Sequence, residues 1–347
     1  MLQKLLAWLP AVVEDWPLPN RWMAHPPGGT RLECHGNIPN VDSRKKDPDT
    51  FRILSWNIHY GYGPVMHHGR GLTKQEVTNN LTSIASTIRT LQPDIVALQE
   101  VDRNALRSHD IDQLAWLAKE TNLIFSAWTP TWDAGWVPYP GRNPRKHIGR
   151  VLSGQAVLSR FPIVNARRHA LPQPNSRSTI TNLFYLHRAL LEVDLQLNPS
   201  RKLRIFNAHF EAFDSDNRDH HAHITARRLN RSGTDVVLVG DMNSVPEEAP
   251  QRHGFTDEPD TDMRNDQTIR ILRNIPGIQE IAGFEIPADH MANWHTFPAH
   301  EPNRRLDYLF YGQGLKLMDG SVPPHTPIAS DHCPVVATFS LKPVSAK

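Results

Sequence analysis

Residues 51–100 read FRILSWNIHYGYGPVMHHGRGLTKQEVTNNLTSIASTIRTLQPDIVALQE, and this stretch indicates the fold. Its first eight residues are mostly apolar, which predicts a strand. Thr73 and Glu76 match a helix-capping box, and apolar residues recur behind them with helical spacing. Pro93 ends that helix, and the run IVAL that follows predicts a buried strand. The stretch therefore predicts a strand, a helix and a second strand.

The remainder of the chain supplies further strands. In LLEVDLQL, residues 190–197, apolar side chains alternate with acidic and amide side chains, a pattern typical of a half-buried strand. Other apolar runs are GQAVLSRFPI (154–163), LRIFNAHF (203–210), DVVLVGD (235–241), LDYLFY (306–311) and CPVVATFSL (333–341). Many strands with few helices predict the α+β class, as a sandwich whose sheets pack face to face with helices outside.

The composition sets limits on the class of protein. The chain has 347 residues, enough for a substantial core, and a net charge of +2. This charge does not indicate nucleic-acid binding, although a local basic groove would suffice. Cys34 and Cys333 are far apart in sequence, so they do not indicate a disulfide framework, and we expect a reducing, cytoplasmic compartment. No apolar run approaches the roughly 20 residues that a membrane span needs.

Residues 1–49 are expected to form an irregular N-terminal extension, because most of this segment is rich in proline, glycine and charge. Its short apolar beginning, MLQKLLAWLPAVV, lacks a clear signal-cleavage site. A helix lying on the domain is therefore favoured, and a secreted or membrane-peripheral protein is the alternative. Residues 50–342 show no boundary, and we expect them to form one domain.

Polar residues stand beside several of the predicted strands. They are Asn57, Glu100, Asp241, Asn243, Asp307, Asp331 and His332. A carboxylate, amide or imidazole at the end of a buried strand does not favour folding, because burying it unpaired costs free energy. Together these groups supply hard oxygen ligands, groups that orient water and an Asp–His couple. The sequence therefore predicts a metal-assisted hydrolytic site.

Hydrolysis of a phosphodiester requires a cation that neutralises the phosphoryl oxygens and an aligned water molecule. Glu100 is the natural metal ligand, and the amide oxygen of Asn57 can orient it or join the metal shell. Asp241 and Asn243 are two residues apart, so they can hold a nucleophilic water between them. Taken singly, each of these residues is also explained by an ordinary turn or strand end.

Two histidines are candidate acids or bases. His332 has an intrinsic pKa near neutrality, and a neighbouring carboxylate would fix its tautomer. Asp307 can supply that carboxylate, because alternation in LDYLFY places it on the opposite face from Tyr308. His209 can act as a second acid, with Asn207 on the same strand face, although a lone histidine there is equally explained as a core residue.

These residues stand in motifs that resemble a known family. The motifs are WNI, LQE, NAH, GDMN, RLDY and SDHCPV, and they carry Asn57, Glu100, His209, Asp241, Asn243, Asp307, Asp331 and His332. In this order they are similar to the endonuclease/exonuclease/phosphatase superfamily, which includes deoxyribonuclease I, over about residues 51–341. The resemblance implies a four-layered α/β sandwich with two mixed, mostly antiparallel sheets. It also implies a phosphoesterase that depends on Mg²⁺ or Mn²⁺.

The resemblance further implies roles for the site residues. Glu100 would bind the metal with help from Asn57, and Asp331 would lie in or near that shell. Asp241 and Asn243 would act on the attacking water or on the phosphate.

The histidines also receive roles from the resemblance. His332, oriented by Asp307, would contact the scissile phosphate, and His209 resembles the second histidine of the deoxyribonuclease I branch. Branches of the superfamily differ in which group is the general base, and the sequence leaves that choice open.

The segment from Trp128 to Arg150 is expected to be a long loop that contacts substrate. Its tryptophans are interleaved with arginine and lysine, which suits base stacking with phosphate contact, or insertion at a membrane surface. A hydrophobic flap over the sandwich edge is the third explanation. The candidate substrate contacts are Trp136, Arg145, Arg103, Arg107 and Asn207.

Three functional classes follow. The favoured one is a metal-dependent phosphodiesterase acting on a phospholipid or another small phosphodiester, with a possible peripheral membrane contact. A DNA or RNA nuclease is the first alternative, and a non-catalytic binding protein on the same scaffold is the second. No obligate protein partner is evident from the sequence.

Overall fold

The structure is a computed structural model that describes residues 29–35, 50–64, 71–140, 143–283, 288–324 and 328–343. The strands in these ranges are β1 (Arg31–Cys34), β2 (Thr50–Asn57), β3 (Ile95–Asp102), β4 (Phe125–Val137), β5 (Gly149–Ser159), β6 (Ile163–Ala170), β7 (Ala189–Asn198), β8 (Arg201–His209), β9 (Val236–Asp241), β10 (Ile278–Glu280), β11 (Asp307–Gly312), β12 (Leu315–Ser321) and β13 (Val335–Leu341). The α-helices are α1 (Lys74–Leu91), α2 (Gln113–Thr121), α3 (Thr179–Asn182), α4 (Ser215–Leu229) and α5 (Thr268–Arg273).

The strands form two mixed sheets. The first sheet has the order β1-β4-β5-β3-β2-β13-β12, and the second has the order β10-β11-β9-β8-β7-β6. In the part of the chain described, β2–β3 is the parallel pair of the first sheet and β8–β9 is that of the second. The other strand neighbours are antiparallel.

Each parallel pair is joined by a helix on the outer face of its sheet, as a parallel crossover requires. Helix α1 connects β2 to β3, and α4 connects β8 to β9. The predicted capping box is present at the start of α1, where Thr73 accepts from the backbone N–H of Glu76 and Glu76 accepts from that of Thr73. Two βαβ units therefore lie in the centre of the sandwich, one in each sheet.

Apolar side chains fill three layers. Residues of β2, β3 and β13 pack against residues of β7, β8, β9 and β11 between the sheets. A second cluster joins the outer face of the first sheet to α1 and α2, and a third joins the second sheet to α4 and α5. The predicted α+β sandwich of four layers is confirmed.

Two segments differ from the sequence-based expectation. Residues 128–150 are mostly strand, because β4 and β5 form a long antiparallel hairpin. Pro130 and an irregular register after it interrupt the alternation that would have revealed β4. Residues 31–34, expected to be irregular, form the short edge strand β1 against β4. Most of the predicted N-terminal extension lies outside the described residues.

No helix in the described ranges is long and apolar enough to cross a membrane.

Candidate active site

The two parallel strand pairs end at the same edge of the sandwich. Asn57 ends β2, Glu100 is near the end of β3, His209 ends β8 and Asp241 ends β9. Asp307 begins β11 and lies opposite Asp241 in the antiparallel register. Because parallel strands point the same way, their carboxyl ends bring these side chains together. The edge therefore unites residues that are up to 250 positions apart.

The turn before β13 is attached to the end of β2. Trp56 Nε1 donates a hydrogen bond of 2.7 Å to the carbonyl oxygen of His332. The Ser330 hydroxyl donates one of 2.7 Å to the carbonyl oxygen of Asn57. These two bonds place His332 and Asp331 at the same edge as the strand ends.

Glu100 lies at a β-bulge. Its φ is +57°, in the left-handed region that a residue with a Cβ adopts at a cost on the order of 1–3 kcal/mol. The register between β3 and β5 shifts between Leu98 and Val101. A bulge re-aims side chains at the end of a strand. Here the carboxylate Oε1 lies 3.9 Å from His209 Nε2, so it faces the second sheet.

Asn57 joins the two sheets at this edge. Its Nδ2 donates to Asp241 Oδ2 at 3.1 Å, and its Oδ1 accepts from the backbone N–H of His59 at 3.0 Å. His59 Nδ1 lies 3.4 Å from Asp331 Oδ2. The three predicted metal residues therefore stand on β3, β2 and the turn before β13, which are neighbours in the first sheet.

Asp241 is the most connected carboxylate of the site. Its Oδ1 accepts from the backbone N–H of Asn243 at 2.9 Å, and its Oδ2 lies 3.4 Å from His209 Nε2 and 3.7 Å from His332 Nε2. Burial raises the pKa of Asp241 to about 7; the charge of Asp307 adds to this effect, and that of His332 opposes it. A carboxyl with this pKa can exchange a proton near neutrality.

Asn243 has φ of +51°, a second strained residue at the site. Its Nδ2 donates to the carbonyl oxygen of Phe210 at 3.1 Å, which ties it to the segment after β8. The predicted D-x-N pair thus lies with its members in contact, at the end of β9.

His332 and Asp307 form the predicted couple. His332 Nδ1 is 2.7 Å from Asp307 Oδ2, and the ring of Phe297 lies 4.7 Å from the imidazole. Burial alone would lower the pKa of His332, but the charges of Asp307 and Asp241 and the hydrogen bond to Asp307 raise it to about 10. The imidazolium is therefore stabilised, with its Nε2 directed towards Asp241.

His209 has the opposite electrostatic character. Burial lowers its pKa well below the usual value, and the positive charges of Arg188 and His332 lower it further. The site therefore pairs a charged imidazole with a neutral one. Groups whose pKa values are moved apart in this way can take different roles in acid–base chemistry.

Asp241, Asp307 and His332 also form a possible metal-binding cluster. One potential ligand atom from each lies within 4.8 Å of the others. Asp307 Oδ1 is buried without a hydrogen-bond partner in the described chain, and an orphaned buried carboxylate oxygen is stabilised by a cation. Carboxylate and amide oxygens at this edge suit a hard divalent ion such as Mg²⁺ or Mn²⁺. The residues present therefore fit such an ion.

Arg188, which the sequence analysis missed, borders the site. It precedes β7 directly, its side chain is buried, and its Nε has no hydrogen-bond partner among the described residues. Its charge acts on His209 and on Tyr60. A buried guanidinium without a carboxylate is costly unless an anion pairs with it. The available signal was a charged residue directly before the apolar run ALLEV.

Asn207 does not line the site, contrary to expectation. It is fully buried between the sheets, where its Oδ1 accepts from Gln99 Nε2 at 2.7 Å. Its Nδ2 donates to the carbonyl oxygens of Leu98 and Ala156, each at 2.9 Å. The amide is thus used inside the protein, and we no longer consider it a substrate contact.

Arg103 and Arg107 are also used internally rather than for phosphate. Arg103 bridges Glu33 and Asp112, with hydrogen bonds of 2.6 Å to each. Arg107 is buried and forms two hydrogen bonds, of 2.9 and 2.8 Å, with Asp102. Because carboxylates already hold both guanidinium groups, neither arginine is available to an entering anion.

The last two predicted contacts lie on the β4–β5 hairpin. The ring of Trp136 is half-buried and lies 5.0 Å from that of His147. Arg145 is exposed in a short 3₁₀ turn. No contact in the structure joins either residue to the strand-end cluster, so their role in substrate binding stays a prediction.

Solved structures show the same fold. An endonuclease/exonuclease/phosphatase protein from Beutenbergia cavernae is 21% identical, with a TM-score of 0.61 over 84% of this chain and 72% of that one. The human Nocturnin catalytic domain with bound sulfate is 18% identical, with a TM-score of 0.57 over 85% and 94% of the two chains. D. rerio TDP2 complexed with single-strand DNA product is 14% identical, with a TM-score of 0.55 over 84% and 99%. No curated protein sequence matches significantly.

The fold and the acidic, imidazole-bearing edge place the protein in a class whose members are typically hydrolases of phosphate esters. The model of the Endonuclease/Exonuclease/phosphatase family matches residues 54–332, and the chain belongs to that family. Its members generally depend on a divalent metal. The resemblance predicted from the motifs is confirmed.

Proposed function

We propose that this protein hydrolyses a small phosphodiester with the help of Mg²⁺ or Mn²⁺. The observation that carries the proposal is the buried His332–Asp307 couple, which shares one edge with Asp241 and Glu100 although the four residues come from both sheets. Burying this many ionisable groups without a ligand would be expensive, and a phosphate with a cation is the ligand that their charges match.

The cation would be held by Glu100, with Asn57 and Asp331 in or near its shell. When bound, it would neutralise phosphoryl oxygens and stabilise developing negative charge. These three residues are supplied by neighbouring elements of the first sheet, and Asn57 connects them to Asp241 on the second.

Asp241 and Asn243 would act on the attacking water. The raised pKa of Asp241 makes its carboxylate a stronger base than an exposed aspartate, and the backbone N–H of Asn243 fixes its orientation. Asp241 would accept a proton from water while the water oxygen attacks phosphorus.

His332, His209 and Arg188 would act on the phosphate. The imidazolium of His332 can donate Nε2–H to a phosphoryl oxygen, because Asp307 holds the other ring nitrogen. The neutral His209 can hydrogen-bond the ester oxygens, and the guanidinium of Arg188 can pair with the remaining charge. Preorganised donors of this kind stabilise the transition state more than the substrate.

Hydrolysis of bis(p-nitrophenyl) phosphate tests this proposal. With Mg²⁺ or Mn²⁺ present, Glu100→Gln and His332→Ala should each lower the rate by about 10²–10⁴-fold. Matched controls are Glu120→Gln and His223→Ala, which change exposed residues of α2 and α4 and should leave the rate unchanged. Unchanged rates in both site variants, or equal activity in EDTA, would refute the proposal.

A further inference from the structure

Three planar side chains form a stack beside the candidate active site. The guanidinium of Arg177 lies 4.2 Å from the ring centroid of Tyr185 on one side and 5.5 Å from that of Phe213 on the other. Phe213 terminates the stack, and its residue is 75% exposed. This is the largest exposed fraction among the large hydrophobic residues of the described chain. The outer face of Phe213 is thus open to a further planar group.

The exposed ring stands on a rigid base. The backbone N–H of Phe213 donates to Glu211 Oε1 at 3.2 Å, and the hydroxyl of Tyr185 donates to the same oxygen at 2.6 Å. Arg218 Nη1 donates to the carbonyl oxygens of Glu211 and Ala212 at 2.7 and 3.1 Å. Because Glu211 and Arg218 are buried, these bonds hold the backbone of the segment in place while the ring remains in solvent.

The same segment is connected to the catalytic strands. Phe213 follows His209 by four residues, so the two Cα atoms are separated by at most about 14 Å. Between them, the carbonyl oxygen of Phe210 accepts from Asn243 Nδ2 at 3.1 Å. A group attached directly to the scissile phosphate can therefore reach the stack.

From this arrangement we propose that Phe213, with Arg177 and Tyr185 behind it, is a stacking platform for an aromatic ring of the substrate. The proposal rests on the function proposed above and narrows it to phosphodiesters that carry a nucleobase or a similar planar ring next to the scissile phosphate. Phe213 would determine specificity, and the groups at the strand ends would perform the hydrolysis.

A planar ring fits this surface better than an acyl chain. Stacking on an aromatic ring is worth about 1–3 kcal/mol per base and requires one open face. An acyl chain requires a continuous apolar surface, whereas Phe213 is followed by Asp214 and Ser215 and is backed by a guanidinium. The cation of Arg177 also favours an anionic ligand.

A matched pair of ligands tests the proposal. Thymidine 5′-monophosphate and 2-deoxyribose 5-phosphate differ only by the base, and their Kd values can be measured by titration calorimetry with Mg²⁺ present. We expect the wild-type protein to bind the nucleotide about 5–100-fold more tightly. Phe213→Ala and Phe213→Leu should reduce this ratio to near one, and Phe213→Trp should preserve it. The control is Met318→Ala, which removes another exposed apolar side chain, on β12.

The outcomes separate the two proposals. A ratio near one in the wild-type protein, or a ratio that Phe213→Ala leaves unchanged, would overturn the platform. A preference for a short-chain phospholipid over the nucleotide that Phe213→Ala abolishes would also overturn it in favour of an acyl ligand. Absence of bis(p-nitrophenyl) phosphate hydrolysis would instead contradict the proposed function, and the binding ratio could still be measured.

Discussion

Gln99 and Asn207 are hydrogen-bonded to each other across the two sheets, with Gln99 Nε2 2.7 Å from Asn207 Oδ1. Gln99 immediately precedes Glu100, and Asn207 is two residues before His209. The bond therefore fixes the separation of the sheets directly behind the candidate active site, where both residues are fully buried.

Replacement of Asn207 by leucine should destabilise the protein. It would leave an amide N–H of Gln99 and the carbonyl oxygens of Leu98 and Ala156 without their partner, so we expect the free energy of unfolding to fall by about 3 kcal/mol. Urea denaturation followed by circular dichroism measures this. The control is Asn165→Leu on the half-buried face of β6, with an expected loss below about 1 kcal/mol. A raised KM with unchanged stability would return Asn207 to substrate binding.

Asp307→Asn should remove the charge that keeps His332 protonated. Because burial alone lowers the pKa of this imidazole, we expect its pKa in the metal-free variant to fall below that in the metal-free wild type. NMR titration of the imidazole measures the change. We also expect kcat/KM to fall by about 10²–10⁴-fold. An unchanged imidazole titration would show that Asp307 does not govern the protonation state.

Arg188→Met should lower activity without lowering stability. The variant loses a cation for the phosphate, so kcat/KM should fall about 10–100-fold. It also removes a buried charge that has no carboxylate partner, so the free energy of unfolding should stay the same or rise by about 1 kcal/mol. Steady-state kinetics and denaturant unfolding of the same preparations provide the comparison. A large loss of stability would identify Arg188 as a structural residue.

Arg107→Met should behave in the opposite way. Its guanidinium is paired with the fully buried Asp102, and its removal would leave that carboxylate uncompensated. We expect the free energy of unfolding to fall by about 3–5 kcal/mol, while KM of the remaining folded enzyme changes little. Thermal unfolding, with kinetics measured below the transition, distinguishes this result from a phosphate-binding role, which would raise KM.

His221 should contribute to acid sensitivity. Burial on α4 lowers its pKa to about 4, so the folded protein keeps it neutral. The unfolded chain binds the proton from about pH 6.5 downwards, and stability is therefore lost as pH falls from about 6.5 to about 4. Up to about 3 kcal/mol of that loss is assigned to His221. His221→Gln should flatten the dependence of unfolding free energy on pH in this window, whereas the exposed His223→Gln should not.

Much of the site could be predicted because catalytic groups stand beside apolar runs. Asn57, Glu100, Asp241 and His332 each interrupt or border a strand that would otherwise be uniformly buried, and this contrast is visible in the sequence. Register then decides which face a side chain occupies, and alternation placed Asp307 correctly opposite Tyr308.

The errors have a common physical origin. Asn207 gives the same local signal as His209, but its bonds are made to residues more than 50 positions away. The buried pairing of Arg107 likewise depends on a turn whose geometry the sequence does not specify. Local patterns identify a polar group near a strand, but the tertiary fold decides whether the protein or a ligand satisfies it.

The division of the site between two sheets has a consequence for how the protein is inactivated. Glu100 and Asn57 belong to one βαβ unit, and His209 and Asp241 belong to the other. Neither half would be catalytically competent if expressed as a fragment. Slippage of one sheet over the other would abolish turnover while leaving each layer's secondary structure intact. Loss of activity on heating is thus expected to precede, or at the latest accompany, the loss of the far-ultraviolet dichroism signal.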